Sequence, residues 1–337
     1  MTTVQLISDP QATQAFLWPH IQRAWPSIRC ITRLDLRSLG SVQAGRGVIR
    51  ITVHTQTANP KFKTLNLFAN YDARGGSKTI YQFLKFLRQH GFGRGTYGAP
   101  QALCYSAKYK LLIYQSFPGR RIRDELEAGK LSAAGLSAVM QQSAVWLKKF
   151  HRLPPRVGAP RNLRLAPAFF SKLTTGHRRV ISAALPLINK ELARHDHRSL
   201  VHGDPHLANC IRGAHQSFAF IDFSESYVGS AAADIAMYLV HLDVALQPFF
   251  SRRAIAKAQR IFIEKYYGRS VDRLPPQTRR SLLAFELRTA ALFLRFTSDH
   301  HRHPSSQVAW MIQHFVNVVS RGTDQLQSND PQLILAA

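Results

Sequence analysis

The stretch Leu200–Asp222 reads LVHGDPHLANCIRGAHQSFAFID. It places an aspartate at 204, an asparagine at 209 and a second aspartate at 222. Carboxylate and amide oxygens are the hard donors that Mg²⁺ prefers, and the ion keeps waters and phosphate oxygens for its remaining positions. A further carboxylate can accept a hydrogen bond from an attacking hydroxyl and orient it for in-line transfer. Asp204, Asn209 and Asp222 are thus the smallest set able to hold a nucleoside triphosphate's metal and aim a hydroxyl at its γ-phosphate. If Gly213–Gln216 form a turn, Arg212 pairs with Ser217 and Asn209 with Phe220. Asp222 then lies diagonally from Asn209 on the same face, within reach of one metal site.

Upstream of this stretch the text reads as short strands at Ile28–Leu39, Gly47–Thr55, Phe62–Tyr71 and Leu111–Tyr114. One helix interrupts them. Ser77–His90 sets Ile80, Phe83, Leu84 and Leu87 on one face, with Ser77 as the cap and Gly91 as the stop. Beyond Pro118–Gly119 the pattern turns helical over Ser132–Leu153, Pro167–Arg194 (with breaks at Gly176 and Pro186) and Ala231–Phe250. It continues so over Arg252–Tyr267, Pro275–Thr297 and Gln307–Arg321. The expected class is α+β with two lobes: a β-rich N-terminal lobe over 1–115 and a helical C-terminal lobe over 116–337.

Composition narrows the partners. The 337 residues are 45% hydrophobic, enough for a substantial core. Cys30, Cys104 and Cys210 stand too far apart for a disulfide framework or a zinc site, which suits a reducing cytoplasm. The first residues lack a basic segment followed by an apolar run, and no stretch approaches the roughly eighteen apolar residues of a membrane span. A formal charge of +26 favours an anionic partner such as nucleic acid, an acidic lipid surface or a phosphorylated substrate. A solvated basic surface explains it equally well. The basic residues are scattered, concentrating only at Gly119–Arg123 and His300–His303, unlike a dedicated nucleic-acid arm. His300, His301 and His303 are of metal-ligand type, but with only Asp299 beside them a polar loop is the better reading.

His202-Gly203-Asp204 with Asn209, then Phe220-Ile221-Asp222-Phe223, Gly229 and Asp234-Ile235-Ala236, resembles the signature of the aminoglycoside phosphotransferase and choline-kinase-like family. Leu111–Tyr114 followed by Phe117-Pro118-Gly119 is similar to that family's interlobe hinge, and Trp146–Leu153 to its helix ending in a Leu-His-like turn. The resemblance spans roughly Ile28 to Leu239. It implies a protein-kinase-like fold that uses ATP and Mg²⁺ to phosphorylate the hydroxyl of a small molecule or glycan. It also implies Asp204 as the catalytic aspartate, Asn209 and Asp222 as metal ligands, His202 as loop support and Asp234 as a buried anchor of the loop. The hinge backbone between Gln115 and Phe117 would meet the adenine edge.

The nucleotide clamp departs from the pattern. Kinase-like sites hold the α- and β-phosphates with a strand lysine paired to a helix glutamate, yet no glutamate precedes Glu125. The helix offers Tyr81 or Gln82 in its place. An ungapped reading puts Asn70 at the lysine position, and of Lys61 and Lys63 earlier on the strand, Lys63 is the candidate phosphate ligand. Gly40, Gly45 and Gly47 lie where a phosphate-covering loop would be, but as a bare cluster they read as a hairpin loop. An arginine or lysine without an acidic partner could neutralise the phosphates instead; alternatively the chain is a catalytically impaired, pseudokinase-like binding protein, and a basic nucleic-acid-binding role ranks third. The positive charge disfavours a polycationic aminoglycoside as acceptor and favours a neutral or anionic hydroxyl compound.

Overall fold

The computed structural model describes residues 2–39, 45–57, 62–93, 95–194, 198–300, 306–328 and 330–333. In chain order the elements begin with α1 (Thr3–Ser8), α2 (Pro10–Ala24), β1 (Ile28–Ser38), β2 (Arg46–Thr57), β3 (Phe62–Asp72), α3 (Gly76–Leu87), β4 (Tyr97–Gly98), β5 (Gln101–Ser106) and β6 (Leu111–Gln115). There follow β7 (Arg120–Arg121), α4 (Ile122–Glu127), α5 (Ala133–His151), α6 (Thr175–Arg194), β8 (Ser199–Val201), β9 (Cys210–Arg212), β10 (Phe218–Phe220) and β11 (Tyr227–Gly229). The chain closes with α7 (Ala231–Leu246), α8 (Arg252–Tyr267), α9 (Pro276–His300) and α10 (Ser306–Gln327). These elements divide into two compact units, Met1–Gly119 with Ile211–Ser224, and Arg120–Cys210 with Glu225–Ala337.

The first unit is built on an antiparallel sheet of order β1-β2-β3-β6-β5. Period-two alternation decides its two faces. Ile49, Ile51 and Val53 of β2, with Leu65, Leu67 and Ala69 of β3, turn to one side and are buried against Leu6, Ile7, Leu17 and Ile21 of α1 and α2. Each such side chain contributes about 1.5–3 kcal/mol. Arg50, Thr52 and His54, cross-strand from Phe68, Asn66 and Thr64, take the other face. The two N-terminal helices were not expected from the sequence, although their signals are present: Thr2 and Gln5 form a capping box, and Asp9 caps α2 just ahead of Pro10. In α3 the cap differs from expectation. Gly75, at φ +92°, precedes the helix, and Ser77 lies inside it because its hydroxyl donates to Asn70 Oδ1 (2.9 Å) and O (3.0 Å).

The second unit is helical, with Trp146 and Phe150 of α5, Tyr238 of α7, Phe262 of α8 and Phe285 of α9 fully buried. The Tyr238 hydroxyl meets Ser143 Oγ at 2.7 Å, so its one polar atom is satisfied in the core. Ser132 caps α5, its side chain accepting from Gly135 N. The expected helix from Pro167 is shorter. A 3-10 turn occupies Pro167–Phe170, and α6 then starts at Thr175 and runs unbroken past Gly176 and Pro186. Proline forfeits one main-chain hydrogen bond there, but buried Ile181, Leu185 and Ile188 hold the helix on both sides of it. No helix among the described residues is long and apolar enough to cross a membrane.

Candidate active site

Strand β8 pairs antiparallel with β11, Leu200 opposite Val228, and delivers the chain into His202-Gly203-Asp204. Gly203 sits at φ +85°, and a Cβ on it would lie 2.1 Å from Glu225 O, so the turn excludes any side chain there. Asp234, in the first turn of α7, holds this loop from beneath. Its carboxylate is fully buried, with Oδ2 accepting from His202 N (2.7 Å) and Oδ1 from Gly203 N (2.9 Å). His151 Nε2 reaches the same carboxylate at 2.9 Å, and Tyr266 OH meets His151 Nδ1 at 2.7 Å. The expected anchoring role is therefore met by three charge-assisted contacts, and α5, α7 and α8 all contribute to it. The His202 ring packs against Trp146 and Phe150 (centroids 6.3 and 6.5 Å), and Ser226 Oγ donates to its carbonyl at 3.0 Å.

Asp204 is partly buried, and its Oδ2 lies 3.3 Å from His206 Nε2. Asn209 ends a 3-10 turn, Leu207–Asn209, and Nδ2 donates to Asp204 O (3.0 Å) and Oδ2 (3.1 Å). With its nitrogen so engaged, Asn209 keeps Oδ1 as the outward, hard donor. Burial alone would raise the Asp204 pKa, but the His206 hydrogen bond and the charges of His206, His241 and His202 outweigh it and hold the carboxyl below its ordinary value. His241 of α7 lies 5.0 Å from His206 and 4.7 Å from Phe293. Burial first, then His206, pushes its pKa down to about 4. His206 and His241 escaped the sequence reading, and His151 entered it only as part of the Trp146–Leu153 helix end. His206, two residues after Asp204, was visible there; the other two come from distant helices and meet the loop only in the fold.

Asp222 lies in the first unit. Its φ of +64° is left-handed, a conformation that costs a non-glycine residue on the order of 1–3 kcal/mol. Phe223 beside it is buried and stacks on Phe83 of α3 (5.5 Å). Asp222 Oδ1 accepts from Ser224 N at 3.3 Å, and Oδ2 has no hydrogen-bond partner among the described residues. The predicted hairpin needs correction. Gly213 N donates to Ser217 O (2.8 Å), one step out of the expected register, while the strands end at Cys210 and Phe220. Neither Asn209 nor Asp222 is a ladder residue, so strand alternation does not set their faces.

Cys210 is fully buried, as expected, and burial raises its thiol pKa far above the ordinary range. Lys63 begins β3, exposed, with Nζ 5.7 Å from the Trp25 ring centroid. Asn70, on the same strand at the expected lysine position, is tied to Ser77 by the hydrogen bonds described above, ahead of Tyr81 and Gln82 where the resemblance expects the glutamate. Gln115 ends β6 opposite Leu67 and Gln101, and Ser116 N donates to Asn66 O at 3.2 Å. The Phe117 ring covers Gly98, where a Cβ would come within 2.4 Å of it. Gly40, Lys61 and the 301–303 histidines lie outside the described residues. Among those described, no group of three His, Cys, Asp or Glu is placed to hold a metal.

A phosphotransferase enzyme family model matches residues 66–269, more than half of the chain and inclusive of the whole loop. The chain belongs to this family. No curated protein matches it by sequence. Among solved structures, aminoglycoside phosphotransferase APH(4)-Ia shares 15% identity at a TM-score of 0.57, covering 92% of this chain and 99% of that one. Amicoumacin kinase hAmiN, solved with AMP-PNP, Ca²⁺ and Ami, shares 14% at 0.56, covering 85% and 88%. Choline kinase LicA from Streptococcus pneumoniae shares 11% at 0.53, covering 92% and 99%. These likenesses establish the kinase-like fold, and the family establishes the class of small-molecule phosphotransferases.

Proposed function

We propose that this family member transfers the γ-phosphoryl group of ATP to a hydroxyl of a small molecule or glycan. The observation that carries the reading is the Asp204 loop, anchored by hydrogen bonds to buried Asp234 with Asn209 bonded across it. Asp204, whose pKa is lowered, is ionised at neutral pH and accepts the hydroxyl hydrogen bond. As the acceptor oxygen bonds to the γ-phosphorus, the bond to the β,γ-bridging oxygen breaks, ADP leaves, and the hydroxyl proton passes to the Asp204 carboxylate. His202 packs behind the loop, and His206 fixes the Asp204 oxygen nearest to it. Asn209 Oδ1 and Asp222 Oδ2, hard donors without hydrogen-bond partners among the described residues, are the proposed Mg²⁺ ligands; the ion, when bound, would neutralise phosphate charge. Phe117 N–H, with no partner among the described residues, and the Gln115 backbone suit an adenine edge.

Lys63, the phosphate cation expected from the sequence, has the strand parity of Leu65, Leu67 and Ala69, and its Nζ lies 5.7 Å from the Trp25 ring centroid on the helix-covered face, so no phosphate role is proposed for it. The neutral Asn70–Ser77 pair favours a second reading, a nucleotide-binding protein of impaired turnover. ADP release measured with ATP, Mg²⁺ and a panel of neutral and anionic hydroxyl compounds separates them. Acceptor-dependent ADP release that disappears in Asp204→Asn supports transfer. Nucleotide binding with no release from any acceptor supports the second reading.

A further inference from the structure

On α7, His241 meets His206, whereas Asp243, two residues on and about 200° around the helix, turns elsewhere. It lines a cavity of about 470 Å³ between α7, α8 and α10. That volume lies within the range of small-molecule sites, roughly 300–1,000 Å³. Its lining mixes apolar Ile255, Ala256 and Val318 with polar Gln259, Asn317 and Asp243. Asp243 is already matched by His314, whose ring is stacked on Trp310 (4.9 Å, 6° between planes). The imidazole is thus held beside the carboxylate.

Two features of the lining are unmatched. Gln259 is fully buried, with Nε2 donating to Leu239 O (3.1 Å) and Oε1 without any partner. A buried acceptor left in this state is destabilising, and an incoming O–H would satisfy it. Arg252 and Arg321 also line the cavity, and neither has a carboxylate partner among the described residues. The unmatched groups therefore call for negative charge and a hydroxyl donor on one small molecule.

We propose that this cavity binds a small hydroxylated anion, a phosphorylated or carboxylated sugar or polyol. Arg252 and Arg321 take its charge, and a hydroxyl donates to Gln259 Oε1. The site is separate from the Asp204 loop and needs no nucleotide. Because α7 carries both Asp243 and Asp234, an occupant would bear on the helix that anchors the loop.

Calorimetric titration of the full chain without nucleotide tests this, using glucose 6-phosphate, gluconate, glucose and inorganic phosphate as probes. Glucose 6-phosphate or gluconate is expected to bind at least tenfold more tightly than glucose or phosphate. An Arg252→Gln, Arg321→Gln double variant, altered only at exposed positions, should lose at least tenfold of that affinity, and Asp204→Asn should lose none. No binding by either anion, equal binding by inorganic phosphate, an unaffected double variant, or loss in Asp204→Asn would each overturn the proposal. Failure here leaves the ADP-release assay untouched, so the two readings stand or fall separately.

Discussion

Asp234 bears the largest share of the loop's stability. Replacing it by alanine leaves His202 N, Gly203 N and His151 Nε2 without their acceptor in a site closed to water. Each buried donor left unsatisfied costs about 1–3 kcal/mol, so the three together cost at least about 3 kcal/mol. Urea denaturation of Asp234→Ala should show a loss of that size; a loss under about 1 kcal/mol would mean that the loop is held by something else. Asp222 behaves in the opposite way. It sits at φ +64° with a single weak cap to Ser224 N, so Asp222→Gly should leave the protein about 0.5–1 kcal/mol more stable while removing the proposed metal ligand. A destabilised glycine variant would show that the carboxylate has a structural partner after all. At this scale the sequence was legible where residues lie close in the chain. Asp204, Asn209 and Asp222 could be named from spacing, whereas Asn70–Ser77 could not, because Ser77 reads equally well as a helix cap.

Helix α7 combines two of these features, since Asp234 in its first turn holds the loop and His241 two turns later packs on His206. The depressed His241 pKa gives a signed pH effect. Between about 4 and its ordinary value of 6.5, the unfolded chain binds a proton at this residue and the folded chain does not. Stability therefore falls as pH drops through that window, with a slope of up to about 1.4 kcal/mol per pH unit. His241→Leu should flatten the dependence between pH 6.5 and 4 in denaturant melts. An unchanged slope would contradict the assignment. Most helices were legible from apolar periodicity, α8 to the residue, because packing one face requires it. The hairpin near Asn209 was not, since a one-residue difference in pairing is invisible to alternation in so short a ladder. Helix α6 ignored Pro186 because its buried face outweighed one missing hydrogen bond.

For the whole molecule, accessibility of the thiols reports whether both units are packed as described. Cys30 is exposed, while Cys104 and Cys210 are buried and burial pushes Cys104 up to about 12. Iodoacetamide at pH 8 should modify one thiol per native chain and all three after unfolding, read by mass spectrometry. Rapid modification of a second thiol would show a looser core. The two-part architecture was legible from the change of period near Pro118, but the return of Ile211–Ser224 to the first unit was not, because long-range packing leaves no local signature. Under the proposed function, Asp204 and Asp222 both act in a metal-dependent phosphoryl transfer. Calorimetric titration of ATP with and without Mg²⁺ into the wild type and Asp222→Gly tests it most directly. Wild-type binding should tighten at least tenfold with Mg²⁺ and the variant's should not. Equal Mg²⁺ dependence in both proteins, or no ATP binding by the wild type, would contradict it.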